Sequence, residues 1–303
     1  MNNKINYKII LALLVFLVVP FASAQDVNVA VYILNLGKFD VSSGTYTADF
    51  YLSLTCETDC ATQNFEFMNG RATSTDKIID TPTEKFYRIQ ATFNNPVDLK
   101  KFPFDKQQMQ IIIEDKVKTV EEINYVANIE ESGIDSTVAF TGWNLDEWSA
   151  EVTEHEYPVY GETYSRYQFN MDISKIFWNS FIKTILPIIF IMLVALSSFV
   201  IDPDKMATRV AMISSALVAS VMFHVSISNQ VPPVGYMTFA DKFMLLTYFI
   251  LLLSFIINIT LFDLLEKKKE SIVQRVHKYT EYSMLIVVPI IYVLFFWLAY
   301  SVG

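Results

Sequence analysis

The chain has 303 residues, a formal net charge of −9 and a positive mean hydropathy of +0.33. A soluble domain rarely averages a positive hydropathy, which argues against a protein that is soluble over its whole length. The acidic balance argues against nucleic acid as a partner, because phosphate binding needs clustered lysine and arginine.

The charge is divided unevenly along the chain. Residues 25–175 contain 12 basic and 25 acidic side chains, a balance of −13, whereas residues 176–303 contain 9 basic and 7 acidic ones. The sequence therefore predicts an acidic, water-facing half followed by an apolar half.

The first 24 residues have the pattern of a secretory signal peptide. A lysine-containing start is followed by an apolar run at residues 9–19, too short to span a membrane comfortably, and by the small residues Ala22-Ser23-Ala24. We expect cleavage before Gln25, which places the rest of the N-terminal half outside the cytosol. An uncleaved N-terminal anchor is the alternative.

The sequence contains two cysteines, Cys56 and Cys60. In an oxidising compartment this close pair predicts a small local disulfide, with free thiols as the alternative. Two cysteines do not complete a tetrahedral metal shell and no histidine lies nearby in sequence, so no metal site is expected.

Residues 26–174 show no long helical period. Short runs rich in β-branched and aromatic residues alternate instead with turn signals such as Asn69-Gly70. The runs lie at 27–34, 46–55, 87–93, 109–113 and 164–173. This spacing predicts an extracellular antiparallel β-sandwich over residues 25–175.

Four apolar segments follow, each near the ~20 residues that cross a bilayer. They lie at about 176–201, 206–231, 239–262 and 284–302, within a predicted transmembrane domain of residues 176–303. The short loop 266–282 would be cytoplasmic, because its basic residues follow the positive-inside rule. We therefore expect a multi-pass protein of the plasma or inner membrane, with its N-terminal domain extracellular or periplasmic.

The second apolar segment is rich in serine and contains His224, which we expect to bond the backbone of a neighbouring helix rather than relay protons. Helical spacing places one stripe of residues together: Ala211, Ser215, Val218, Met222, Val225 and Asn229. Close helix packing is one interpretation, and a face that meets water is the other. In a cyclic homo-oligomer this stripe would line a pore, and Val218, Met222 and Val225 would close it by dewetting.

A loop in the middle of the chain resembles that of a known family. Residues 95–109, NPVDLKKFPFDKQQM, are similar to the signature loop of the pentameric ligand-gated ion channels, or Cys-loop receptor superfamily. Pro187 in the first span and the linker at 231–238 also resemble the family. Asn95 and Met109 stand where animal receptors have two bridging cysteines, as in the prokaryotic branch. Between Leu54 and Phe102 the chain is shorter than typical members and lacks their Trp-x-Pro motif.

The resemblance implies how motion of the sandwich would reach the pore. Asp40, Asp105 and Lys175 would form a carboxylate–cation–carboxylate cluster at the domain boundary. The aromatic core of the signature loop would dock on the membrane-facing layer, opposite a linker stiffened by proline. The implied coupling residues are Asp40, Phe102, Pro103, Phe104, Asp105, Lys175, Pro232, Pro233 and Tyr236.

Two triggers are open at this point. One is a small ligand held by aromatic side chains between subunits at the hairpin near residues 153–165, and the other is the proton, sensed by crowded carboxylates and a histidine. The candidate residues are Trp143, Trp148, Glu154, His155, Tyr157, Tyr160 and Tyr164. A packed sandwich core and a solvated acidic face are the alternative interpretations.

The expected function is that of a pentameric ion channel, gated by a ligand or by protons, with no cofactor. Cation selectivity is expected because the acidic domains would concentrate cations at the entrance. An anion-selective channel and a non-conducting extracellular receptor are the alternatives. No enzyme is expected, because the sequence contains no phosphate-cradling glycine loop, zinc-protease helix or nucleophile elbow.

Overall fold

A computed structural model describes residues 24–60 and 64–301, so the predicted signal peptide, apart from Ala24, lies outside the described residues. The described chain forms a β domain followed by four long helices. The strands are β1 (Gln25–Leu36), β2 (Thr45–Thr55), β3 (Phe65–Phe67), β4 (Gly70–Asp80), β5 (Glu84–Asn94), β6 (Lys106–Asp115), β7 (Ile123–Ala127), β8 (Gly133–Ile134), β9 (Trp143–Tyr157) and β10 (Glu162–Lys175).

The strands form the two sheets of a sandwich. One sheet has the order β4-β5-β2-β1-β7, with β8 also pairing with β1, and the other has the order β3-β6-β10-β9. Most neighbours are antiparallel, as predicted, but β7 and β8 run parallel to β1. The predicted antiparallel sandwich therefore has parallel pairing at one edge.

Every second residue of the strands points into the core of the sandwich. Val27, Val29, Val31 and Ile33 of β1 are fully buried, and they pack in one cluster with alternate residues of β2, β5, β6 and β10. All five predicted runs lie within observed strands. The exception to the alternation is β4, whose residues 71–78 are all exposed on an edge of the sheet.

The helices are α1 (Phe177–Ser197), α2 (Met206–Ser228), α3 (Phe239–Glu266) and α4 (Glu270–Ser301). All four are long and apolar enough to cross a bilayer. A π-type turn at Phe181–Ile185 precedes Pro187 in α1, where proline lacks the N–H of a regular helical bond.

The fourth helix begins earlier than the sequence predicts. It starts at Glu270, so most of the predicted cytoplasmic loop 266–282 is helical, and Lys267–Lys269 form the turn. The first turns of α4 are polar, so hydropathy alone does not include them in the predicted fourth apolar segment. α4 is also the least buried of the four helices, which puts it at the periphery of the bundle.

Candidate functional site

The stripe predicted to line a pore lies on the uncovered face of α2. All six of its residues are exposed in the single chain, including Val218 at 63%, Met222 at 68% and Val225 at 54%. The opposite face is buried against the other helices, through Met206, Arg209, Ile213, Ala216, Ser220 and Ile227. A large apolar surface flanked by Ser215 and Asn229 is thus left for contacts outside this chain.

The basic residue near the inner end of α2 points away from that stripe. Arg209 is fully buried, its guanidinium lies 5.6 Å from the ring centre of Phe199, and Nη1 lies 3.5 Å from Nδ1 of His277. Asp202 and Asp204, just before α2, are exposed. Lys205, which directly precedes α2, is exposed as well and offsets one of these two negative charges.

The signature loop docks on the helices through its aromatic residues. Phe102 and Pro103 are buried, and Phe102 belongs to the core of the helical bundle. The ring of Phe104 stacks on Phe177 at 5.1 Å and meets Phe239 edge-on at 5.7 Å. One side chain of the β domain therefore contacts the first residues of both α1 and α3.

Backbone hydrogen bonds tie the same loop to the start of α3. The N–H of Phe239 donates to the carbonyl of Lys100 at 2.8 Å, and the N–H of Ala240 donates to that of Phe102 at 3.0 Å. The first N–H groups of a helix have no partner within it, so the loop satisfies donors that would otherwise be unpaired. Sequence reasoning missed this contact, because nothing in residues 99–102 marks their carbonyls as acceptors.

The linker between α2 and α3 contacts the loop through Tyr236. Its hydroxyl accepts a hydrogen bond from the N–H of Leu99 at 2.9 Å, and the ammonium of Lys100 lies 5.8 Å from its ring centre. Pro232 is half-buried and Pro233 is exposed. Together with the loop, the end of β10 and the first turns of α1 and α3, Tyr236 forms what we call the coupling layer.

The three charged residues expected to cluster there are arranged differently. Asp40 is exposed and accepts hydrogen bonds within its own turn, from Ser42 and Ser43. The ammonium of Lys175 lies 4.0 Å from the ring centre of Trp143. No ion pair joins Asp40, Asp105 and Lys175 among the residues that the structure describes. The expected cluster is thus replaced by separate contacts.

The carboxyl group of Asp105 is almost completely buried, at 1% exposure. Neither of its oxygens has a hydrogen-bond partner within the described part of the chain. Burial raises the pKa of Asp105 from its ordinary 3.8 to about 6, with Lys175 only partly offsetting this effect. This group therefore changes charge within a physiological pH range.

His224 joins α2 to α3 through side chains. Its Nε2 lies 3.2 Å from Oδ1 of Asp241 and its Nδ1 lies 3.0 Å from the hydroxyl of Tyr248. Asp241 also closes the capping box of α3 with Thr238. The expected bond to a neighbouring backbone is therefore replaced by side-chain contacts, because Asp241 and Tyr248 share the face of α3 toward α2.

The candidate sensing residues fall into two groups. Near the β9–β10 hairpin, the ring of Tyr157 lies 4.6 Å from His155 and 5.6 Å from Tyr164. Tyr160, at the turn, and Glu154 are exposed. The tryptophans lie away from this group: Trp148 stacks on Phe169 at 5.3 Å, and Trp143 is buried at the other end of β9.

A buried acid next to the hairpin was not predicted. The side chain of Glu114 on β6 is 2% exposed, accepts a hydrogen bond from the Tyr157 hydroxyl at 2.9 Å and pairs with Arg166. This pairing needs both the β6–β10 and the β10–β9 registers, which no local signal reveals.

Cys56 and Cys60 are joined by a disulfide, with 5.4 Å between their Cα atoms. The bridge closes the segment that follows β2, and both residues pack on the sandwich core. Among the described residues there is no cluster of three or more metal-binding side chains.

No protein-family model matches the chain. It is 24% identical over 171 residues to the proton-gated ion channel of Gloeobacter violaceus, covering 56% of this chain and 46% of that protein. It is 29% identical over 154 residues to the human 5-hydroxytryptamine receptor 3B, covering 49% of this chain and 34% of the receptor. The matches thus span less than half the length of either relative.

The predicted resemblance to the pentameric ligand-gated ion channels is confirmed, since both of these relatives belong to that superfamily. The order of a β-sandwich and four apolar helices is the fold expected for that family. The chain is a multi-pass membrane protein, as expected. Neither relative is an enzyme, in agreement with the sequence interpretation.

Proposed function

We propose that this chain is an ion channel that assembles as a ring of five copies around α2. The observation that carries the proposal is the uncovered stripe on α2, with Val218, Met222 and Val225 in its apolar part and Ser215 and Asn229 on either side. A single helix cannot enclose water, whereas a cyclic arrangement brings identical stripes together. The apolar ring would stop ions by dewetting until the helices move apart.

Cation selectivity is the second part of the proposal. The β domain, residues 25–175, carries 25 acidic against 12 basic side chains. The exposed Asp202 and Asp204 lie at the inner end of α2, where Arg209 is turned into the bundle. The acidic β domains at the outer entrance would concentrate cations, although counterions screen the field beyond ~8–10 Å at physiological salt.

Protons are the proposed trigger. One relative is named a proton-gated ion channel, and the buried Asp105 carboxyl in the coupling layer has its pKa raised to about 6 by burial. A small ligand at the β9–β10 hairpin is the second candidate, supported by the ring contacts of His155, Tyr157 and Tyr164. In this proposal the β domain faces the cell exterior or the periplasm, because the turn Lys267–Lys269 at the opposite end is basic.

The experiment is to record currents from the full chain in planar bilayers during steps from pH 8 to pH 4.5, with amines and amino acids applied separately at pH 8. The proposal expects currents that appear on acidification and reverse at the equilibrium potential of the cation. A reversal potential that follows chloride would replace cation by anion selectivity. Silence under every condition, in protein shown to be folded and inserted, would favour the non-conducting receptor.

A further inference from the structure

Lys175 stands between two alternative partners in the coupling layer. Its ammonium lies over the ring of Trp143, 4.0 Å from the centre, in a cation–π contact. Its backbone N–H donates to the carbonyl of Asp105 at 3.1 Å, which anchors the lysine beside that acid. Register pairs Lys175 with Trp143 across β10 and β9, so the contact with the ring follows directly from the sheet.

The other partner is the Asp105 carboxyl group. It is buried, and neither oxygen has a hydrogen-bond partner among the described residues. The nearby amide of Gln107, which lowers the pKa of Asp105, donates to the Asp98 carbonyl at 2.6 Å. A buried, unpaired carboxylate is costly, whereas a neutral carboxylic acid is not. The arrangement with the lysine on the tryptophan therefore fits a protonated Asp105 better than an ionised one.

We propose that Lys175 is a proton-dependent switch between two seats: its ammonium rests on Trp143 while Asp105 is protonated and pairs with Asp105 once the carboxyl group ionises. The proton is exchanged with water, and no other bond is made or broken. Both seats satisfy the cation, one through the ring and one through a charge-assisted hydrogen bond.

The charged groups around this pair act in defined directions. Asp98, on the same loop, raises the pKa of Asp105, and Lys175 lowers it. On the first helix, Lys183 repels Lys175, whose pKa is lowered mainly by burial. Asp40 on the turn between β1 and β2 is held by its own serines. The seats therefore exchange at or below about pH 6, because pairing with Lys175 stabilises the ionised carboxyl group and lowers the pKa of Asp105.

The switch is placed where its movement reaches the helices. Lys175 ends β10, and Phe177, the first residue of α1, stacks on Phe104 of the signature loop. Trp143 meets Phe39 edge-on at 5.5 Å, next to the turn that carries Asp40. Exchange of seats therefore shifts the end of β10 between β9 and the loop. Its effect on current rests on the proposed function, but the exchange itself does not.

The test uses Trp143 as a fluorescent reporter in the purified full chain. Trp148, Trp178 and Trp297 are replaced by phenylalanine, which leaves one tryptophan of the four in the sequence. We expect a one-proton change in emission between pH 4.5 and 7.5, centred at or below about pH 6. The change is lost in Asp105→Asn, which stays neutral, and in Lys175→Gln, which has no cation; Lys175→Arg retains it.

Asp98→Asn is the matched control, because Asp98 lies on the same loop but is exposed and paired with Lys100. It keeps the transition and moves it to lower pH, since a negative charge that raises the pKa of Asp105 is removed. A transition that persists in both Asp105→Asn and Lys175→Gln, or none in the reporter chain itself, overturns the switch. A transition without any proton-activated current overturns the proposed function and leaves the switch standing.

Discussion

The apolar part of the α2 stripe gives the sharpest test of the gate. Val218 exposes 63% of its surface in one chain, and full burial of a valine is worth about 1.5–2 kcal/mol. Covering that fraction in a closed ring is therefore worth about 1 kcal/mol per copy, or about 5 kcal/mol for five copies. A change of about 5.5 kcal/mol turns a 1:99 equilibrium into 99:1. We therefore expect Val218→Ser to produce a large resting current at pH 8.

Val293 offers a matched control, because it is a valine with 67% exposure on the peripheral helix α4. Val293→Ser removes the same groups from a surface that faces away from the proposed pore, so the resting current stays at the wild-type level. Both variants are compared at equal surface expression by voltage clamp. An unchanged resting current in Val218→Ser, or an equal increase in Val293→Ser, would refute the assignment of the gate.

Three further predictions concern the coupling layer and the β domain. Tyr236→Phe leaves the N–H of Leu99 without its acceptor, which costs about 1 kcal/mol. The proton concentration for half-maximal activation therefore shifts about fivefold. Tyr282→Phe, at an exposed tyrosine, leaves that concentration unchanged. Because burial raises the pKa of Asp105 to about 6, the folded state alone holds this proton between about pH 4 and 6. As the pH rises through that window, the free energy of unfolding should fall by at most about 3 kcal/mol. Thermal unfolding measures this fall, which should be absent in Asp105→Asn. Cys60→Ser opens a loop of four-residue separation and lowers the free energy of unfolding by about 2 kcal/mol, and an unchanged Tm would contradict this.

Local patterns were enough to predict most of the sandwich but not all of its strands. The runs in β1, β2, β5, β6 and β10 alternate because one face is buried. The sequence of β4 lacks this alternation, since its residues 71–78 are all exposed, and it is held by pairing with β5. Similarly, α4 begins at Glu270 because helical hydrogen bonding continues beyond the apolar part. Hydropathy patterns do not predict strands that depend on pairing with a neighbour or helical turns that extend beyond an apolar segment.

The candidate site shows the same division. The α2 stripe follows from a period of 3.6 residues, so its common face could be predicted from spacing alone. The seat of Lys175 on Trp143 and the pair of Glu114 with Arg166 depend on registers between strands far apart in sequence. The bonds from α3 to the carbonyls of Lys100 and Phe102 use backbone atoms, which every residue carries. Such contacts need the tertiary fold.

The most direct test of a pore around α2 is the reactivity of introduced cysteines. Both native cysteines are joined in a disulfide, so they leave no free thiol as background. Ser215 is exposed on the stripe, whereas Ser220 is fully buried against the other helices. Ser215→Cys and Ser220→Cys each replace only an oxygen by a sulfur. We predict that a charged, water-soluble thiosulfonate blocks current through Ser215→Cys during acid activation and leaves Ser220→Cys unmodified. Modification of Ser220→Cys with Ser215→Cys unreactive in every state would contradict the account.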